Sequence, residues 1–363
     1  MTRIAMLITG LERGGAETQA ANLARSLGAR GWEVTVFAFR TGALEPELRA
    51  GAVPVRVLGP GHLLIHLARL QPAILHAHLF HANLAARLAR LLCPIPVVVS
   101  TVHSVAETGS RSRGNRHRDL LYRATDALSD ATVFVSSASA GRHIAARAVS
   151  KRRSRVIPNG VDTARFRPDP ALRAKARAAL GLGGEFAWLT AGRLMWKKNY
   201  PLMLKAMARQ HEGVLFIAGD GPDAARLRQL AGPNVRFLGA RDDIPALMNA
   251  CDGFVLSSDV EGLPMVLLEA AASGLPQVAT AAGGVPEAVI HERTGYVVPT
   301  GDAAALAAAI ERLAAMPPEA RASMARAARE HAVTRFDLTA VTSEWEDLYR
   351  QMIEAARFAA MEP

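Results

Sequence analysis

Cysteine is almost missing from this 363-residue chain: Cys93 and Cys251 are the only two, in different halves and without metal-ligand spacing. That excludes a disulfide scaffold and a thiolate metal site, and a reducing, cytoplasmic compartment is expected. Aromatic residues make up 5% and are not interleaved with the basic clusters, so stacking on nucleic acid is not expected. Half of the residues are hydrophobic, yet no apolar run approaches the roughly 18 residues that a membrane span requires. Residues 1–10 hold one basic residue and a short apolar run before a glycine-rich loop, and read as a buried first strand rather than a secretory leader. No GxxxxGK[ST] loop, HExxH pair or convincing DxD segment occurs, so no metal and no cofactor is expected; Arg241, Asp242 and Asp243 read as the cap of a following helix.

What the sequence does have is alternation. Short apolar, often β-branched runs at residues 3–9, 33–39, 53–57, 73–76, 97–101 and 132–135 are separated by segments of helical spacing at 16–29, 81–91, 115–127 and 139–149. Strands without polar alternation, separated by helices, imply a parallel sheet covered on both faces. A turn-rich stretch from Val156 to Pro170 follows, then a second series of strands at 186–191, 214–218, 235–238, 254–256 and 277–279. The length suits two α/β domains. A closing helix at 338–359 has Trp345, Leu348, Met352 and Ile353 on one apolar face, suited to packing back on the first domain.

Charge is uneven. Residues 1–165 carry 22 Lys+Arg against 10 Asp+Glu, and the remainder 21 against 23, so the net charge of +10 comes from the first half. Arg111, Arg113, Arg116 and Arg118 form one cluster, and Lys151, Arg152, Arg153 and Arg155 another. An anionic membrane surface or a phosphorylated acceptor would complement this face, a merely solvated basic face being the plain alternative.

Open parallel sheets bind ligands at the carboxyl ends of their strands, which narrows the search to the loops that follow them. After strand 254–256 comes Glu261, then Gly262, Leu263, Pro264 and Met265 opening a helix that carries Glu269. Glu269 lies five residues past Pro264, about 7.5 Å along such a helix, so the two carboxylates are too far apart to share a proton but suit different hydroxyls of one elongated ligand. After strand 186–191 come Gly192, Arg193, Leu194 and Lys198, whose planar fork and point charge suit a diphosphate. Gly14 and Gly15 follow the first strand at a helix start, where a backbone can approach a ligand closely. His103 follows strand 97–101. His76, His78 and His81 complete no metal-ligand set; His76 and His81 read as structural, with His78 nearer the ligand cleft.

In this order the segments resemble the group-1 family of GT-B glycosyltransferases, family GT4. Glu261 and Glu269 match its E-x7-E motif, and Gly192, Arg193, Leu194 and Lys198 its G-R-L-x3-K element. Residues 157–162, 218–222, 237–239 and 282–287 match as well, so the resemblance runs from Arg3 to about Val298. It implies two Rossmann-like parallel-sheet domains facing each other across a deep cleft. Residues 1–163 would be the acceptor side, with helix 340–363 packing back on it, and 164–339 the nucleotide-sugar side.

The resemblance also implies roles. Arg193 and Lys198 would neutralise the donor diphosphate in place of a metal, Glu269 would hold the ribose, and Glu261 the transferred sugar. His103 would meet the sugar near the reacting carbon; His103, Arg193, Lys198 and Glu261 would be the catalytic residues, and Arg193, Lys198, Glu261 and Glu269 would hold the donor. Gly14, Gly15, Gly262, Leu263 and Met265 would also line the donor. The reaction expected is retaining, metal-independent transfer of a hexose-type sugar from a nucleotide-diphosphate donor, UDP-linked first and GDP-linked second. A saccharide or lipid-linked acceptor in bacterial surface polysaccharide or glycolipid synthesis is expected, on the inner face of the cytoplasmic membrane. Glu-Gly-Leu-Pro at 261–264 departs from the aromatic or glycine-rich form of many relatives, which touches donor-sugar fit. A nucleotide-sugar 2-epimerase and a non-catalytic binding protein share the fold. An NAD-dependent dehydrogenase would want GxGxxG after the first strand and an acid after the second, where Phe39 and Arg40 stand.

Overall fold

A parallel sheet buried on both faces is what the first half forms. The structure, a computed structural model, describes residues 2–105, 115–210 and 213–361. The chain divides into two units, Met1–Gly160 with Leu338–Pro363, and Val161–Asp337. The first holds β1 (Arg3–Ile8), β2 (Glu33–Ala38), β3 (Val55–Val57), β4 (Ile74–His78), β5 (Val97–Val102), β6 (Ala131–Phe134) and β7 (Ser154–Val156). They lie in the order β3-β2-β1-β4-β5-β6-β7, every neighbouring pair parallel. Ile4, Met6 and Ile8 of β1 share one core with Leu23 and Leu27 of the helix Gly15–Ala29, while Ala5 and Leu7 share another with Leu67, Ala82 and Ala86. Both faces of the strand are therefore covered, which is why its sequence shows no polar alternation.

The last helix, Leu338–Met361, completes this first unit. Val341, Trp345, Leu348 and Tyr349 join the core of Ile4 and Met6. Glu346 anchors the helix, accepting hydrogen bonds from Arg30 Nη1 at 2.8 Å and Trp32 Nε1 at 2.7 Å.

The second unit holds β8 (Ala187–Ala191), β9 (Val214–Ala218), β10 (Val235–Gly239), β11 (Gly253–Leu256), β12 (Gln277–Thr280) and β13 (Gly295–Val298). Their order is β10-β9-β8-β11-β12-β13, again parallel. The two ends of the unit lie beside each other, with Val161 bridging Asp337 and donating its N–H to Phe336 O at 2.7 Å.

Several local expectations are corrected. β7 and β13 were not anticipated; both are sheet-edge strands, and β7 begins two residues before the stretch from Val156 that reads as turns. β4 runs on to His78, which places that residue inside the sheet. Pro264 is the residue before the helix Met265–Ala272 rather than part of its first turn. Asp243 precedes the helix Ile244–Ala250 but makes no side-chain capping bond, since Arg241 holds its carboxylate at 2.6 and 2.7 Å. His81 is exposed on the helix Phe80–Ala89 rather than structural. Of the Arg111–Arg118 cluster, Arg111 and Arg113 lie outside the described residues. No helix among the described residues is long and apolar enough to cross a membrane.

Candidate functional site

Each candidate residue follows a strand end, as the parallel topology dictates. In the second unit, the loop after β8 begins at Gly192, whose φ of +148 is open to glycine but strained for other residues. The loop after β9 packs directly on it: Leu194 N donates to Asp220 O at 2.9 Å, and a Cβ on Gly219 (φ +147) would run into the Gly192 carbonyl oxygen. Two glycines thus let the two loops approach closely. The β8 loop continues through Trp196–Lys198 to Asn199, which takes the left-handed conformation (φ 44, ψ 47) and starts the helix Tyr200–Met207.

Lys198 and Glu261 are brought together. Lys198 Nζ lies 2.7 Å from Glu261 Oε1, and Ser258 Oγ donates to the same oxygen at 2.6 Å. The side chains of the pair are 20% and 11% exposed. Ser257 Oγ donates to the carbonyls of Lys198 and Asn199 at 2.8 and 3.0 Å, and Asn199 Nδ2 to Asp259 Oδ1 at 2.9 Å, joining the loops after β8 and β11. Thr280 Oγ1 donates to Ser258 O at 2.6 Å, and Gly284 N to Gly262 O at 2.8 Å, so the loop after β12 supports the same turn. Arg193 is exposed, without an ion pair among the described residues. Leu263 and Met265 are buried.

Glu269 stands apart from that cluster of bonds. It lies in the second turn of the helix Met265–Ala272, half-buried, and its carboxylate makes no hydrogen bond or ion pair among the described residues. Burial pushes its pKa up to about 7, with the positive charge of Arg165 opposing the rise. A carboxylate left in this state is short of hydrogen-bond donors, which a polyhydroxylated ligand would supply.

In the first unit, Gly14 is the residue before the helix Gly15–Ala29, in extended conformation, and Gly15 is the first helical residue. A Cβ on Gly14 would meet the Glu17 carboxylate. His103 follows β5 directly and accepts or donates at Nε2 to His78 Nδ1, 3.0 Å away. Burial lowers the pKa of His103 to about 4 and of His76 to about 3, and holds His78 well below the ordinary range, so the array is neutral at pH 7. Among the described residues, no three His, Cys, Asp or Glu side chains are grouped as metal ligands.

Sequence reasoning did not find Ser257, Ser258 and Thr280, the polar supports of Glu261. Two serines after a buried strand are too common to stand out. Nor did it find the link between His78 and His103, which depends on β4 and β5 lying side by side, with His78 opposite Thr101.

Comparison with known proteins identifies the family. Residues 13–165 match the family model for Glycosyltransferase Family 4, and residues 173–331 that for Glycosyl transferases group 1. The chain is 30% identical to the D-inositol 3-phosphate glycosyltransferase of Saccharomonospora viridis, over 97% of this chain and 92% of that protein. It is 38% identical, over half of each chain, to the GDP-mannose-dependent alpha-(1-6)-phosphatidylinositol monomannoside mannosyltransferase of Mycobacterium tuberculosis. The fold is similar to that of HepE from Anabaena, solved with UDP and glucose, with a TM-score of 0.88, 24% identity and coverage of 97% of this chain and 100% of that one. It is also similar to WaaG, a glycosyltransferase involved in lipopolysaccharide biosynthesis (TM-score 0.76, 20% identity, 95% and 99% coverage). Neither the epimerase nor the dehydrogenase reading gains support from these relatives. With both units matched and one relative aligned almost end to end, the chain belongs to the group 1 glycosyltransferases of family 4 and is a glycosyltransferase of GT-B fold.

Proposed function

We propose that this glycosyltransferase moves a hexose-type sugar from a nucleotide-diphosphate donor to a saccharide or lipid-linked acceptor, with retention of configuration and without a metal. The observation that carries the reading is the Lys198–Glu261 pair with Arg193 exposed in the same β8 loop. Arg193 and Lys198 supply two positive charges for a diphosphate and for the charge that builds as it departs. Glu269, without a partner of its own, takes the ribose hydroxyls, and Glu261 takes the transferred sugar. Gly262, Leu263 and Met265 line the donor, and His103, Gly14 and Gly15 contribute from the first unit.

Retention follows if a leaving phosphate oxygen takes the acceptor's proton on the face the nucleotide leaves. Catalysis is then positioning and electrostatic stabilisation, with no covalent protein nucleophile. A UDP-sugar is favoured as donor because HepE is solved with UDP and UDP-glucose; the GDP-mannose named for the mycobacterial relative is the second choice. Relatives named for phosphatidylinositol mannoside and diphosphoundecaprenol acceptors support a glycolipid or polysaccharide product.

A membrane-surface role has support of a different kind. Leu88, Leu91 and Leu92, with Leu120 and Leu121 of the helix Asn115–Thr125, are exposed, and Arg116 and Arg123 are exposed beside the last two. Apolar side chains bordered by cations suit an anionic bilayer.

A thermal-shift screen of UDP, GDP, ADP and their sugars, with and without EDTA, tests the donor site. Stabilisation by one nucleotide diphosphate that survives EDTA is expected. Loss of that effect in EDTA overturns the metal-free reading, and the anomeric coupling of the NMR product tests retention.

A further inference from the structure

The reading above gives His78 no part, yet it is 1% exposed, ionisable, and bonded to the histidine that the reading places at the sugar. Its ring is held on both sides. On one, the His103 ring meets it edge to edge across the hydrogen bond, with centroids 5.3 Å apart; on the other, His76 lies 4.1 Å away. His76 is itself fixed by Thr101 Oγ1 at Nε2 (2.6 Å), by the Tyr349 hydroxyl at Nδ1 (2.7 Å), and by Trp345 against its face (4.6 Å). This array therefore draws on β4, on β5 and on the last helix.

The proton count decides what such an array can do. Two neutral imidazoles carry two ring protons on four nitrogens. One proton lies in the bond between His78 Nδ1 and His103 Nε2. The other must sit on an outer nitrogen, His78 Nε2 or His103 Nδ1, and both are buried without a partner among the described residues. An orphaned N–H is the more costly of the two kinds of unmet group, and an orphaned lone pair the less costly. His78 lies within the sheet, whereas His103 is half-buried just past the end of β5, the end at which a parallel sheet binds its ligand. The unmet N–H is better tolerated at His103, where a ligand oxygen can take it.

We propose that His78 is a positioning residue that donates from Nδ1 to His103 Nε2, fixing the His103 tautomer with its one N–H on Nδ1 as a donor for a sugar oxygen. The last clause rests on the reading of His103 as a sugar contact; the tautomer does not. Nothing in the bond requires charge on either ring.

The test uses the full chain with 15N-labelled histidine. Imidazole 1H–15N correlation spectra at pH 7 report which His103 nitrogen carries hydrogen. His103 is expected as the Nδ1–H tautomer in wild type. His78→Asn, whose amide can donate from near the Nδ1 position, is expected to keep it, and His78→Phe, which retains a ring against His76 but not the bond, to lose it. Binding gives a second readout: the preference for UDP-glucose over UDP should fall about five- to tenfold in His78→Phe, the size of one hydrogen bond. Affinity for UDP itself should hold, and His78→Asn should restore most of the preference. Circular dichroism and melting temperature confirm that each variant folds. An Nε2–H tautomer in wild type, or an unchanged tautomer in a folded His78→Phe protein, overturns the proposal. The expected tautomer together with a His103→Ala protein of unaltered sugar preference upholds the positioning and overturns only the sugar contact it was to serve.

Discussion

Lys198 and Glu261 arise from loops after two neighbouring strands and meet as an ion pair at 2.7 Å, with Ser258 on the same carboxylate oxygen at 2.6 Å. A lysine so held stays extended toward one place, and its charge is partly spent on the carboxylate until a stronger anion arrives. Lys198→Ala should lower turnover about 10²-fold, as loss of one electrostatic contact to a leaving group does. It should also lower the melting temperature, since Glu261 is left mostly buried without its cation. Steady-state kinetics and thermal melts check both, and wild-type turnover in the variant would remove Lys198 from the diphosphate site.

Glu269 should make donor binding depend on pH. With a pKa of about 7, it is largely protonated at pH 6 and ionised at pH 8. If it accepts from ribose hydroxyls, donor affinity should rise several-fold between those values and lie flat in Glu269→Gln. Stability should move the other way. The folded pKa is above the unfolded value, so the folded state binds the extra proton and stability falls as pH rises from about 4.5 through 7. Glu269→Gln should therefore raise stability at pH 8 by about 1–3 kcal/mol and leave it nearly unchanged at pH 4. Isothermal titration and denaturant melts at the three pH values would show it; a Glu269→Gln protein no more stable at pH 8 contradicts the raised pKa.

The Gly192–Gly219 approach predicts a stability defect far larger than its single methyl group. At Gly219 an alanine would have to hold φ near +147 and also displace the Gly192 carbonyl. Gly219→Ala should destabilise by about 2–4 kcal/mol and weaken nucleotide binding, because the loop that shifts carries Arg193 and Lys198. Gly61→Ala, where a Cβ meets nothing within 4 Å, serves as the control.

Vesicle binding tests the exposed leucines. Replacing Leu120 and Leu121 by serine should weaken co-sedimentation with anionic vesicles about a hundredfold or more, as two buried side chains at about 1.5–3 kcal/mol each imply. Replacing Arg116 and Arg123 by glutamine should chiefly reduce the salt sensitivity. Equal binding of wild type to neutral vesicles at every ionic strength would remove the anionic partner.

Much of this was legible in the sequence because buried parallel strands are written as continuous apolar runs: β1, β2, β9 and β11 fall within a residue of where their sequences place them. Arg193, Lys198 and Glu261 stood out as charged residues in the loops after such runs, and Glu269 in the helix that follows one. What the sequence withheld was pairing. That Lys198 meets Glu261 depends on β8 and β11 being neighbours, although 63 positions separate the two residues. The Tyr349–His76 bond spans 273 positions, and no local pattern at either end marks it. β7 was lost for another reason, since its Ser-Arg-Val holds no apolar run and leads straight into the turn formers from Val156 to Pro170.

The docking of Leu338–Met361 has a consequence for how the chain is made. A nascent chain that has emerged only as far as Gly160 has all seven strands of the first sheet but lacks Val341, Trp345 and Tyr349 from its core, and His76 lacks the hydroxyl on Nδ1. The second unit, continuous from Val161 to Asp337 with its ends bridged, needs no such later segment. Synthesis order and completion order are therefore reversed: the half that leaves the ribosome first is the last to close its core.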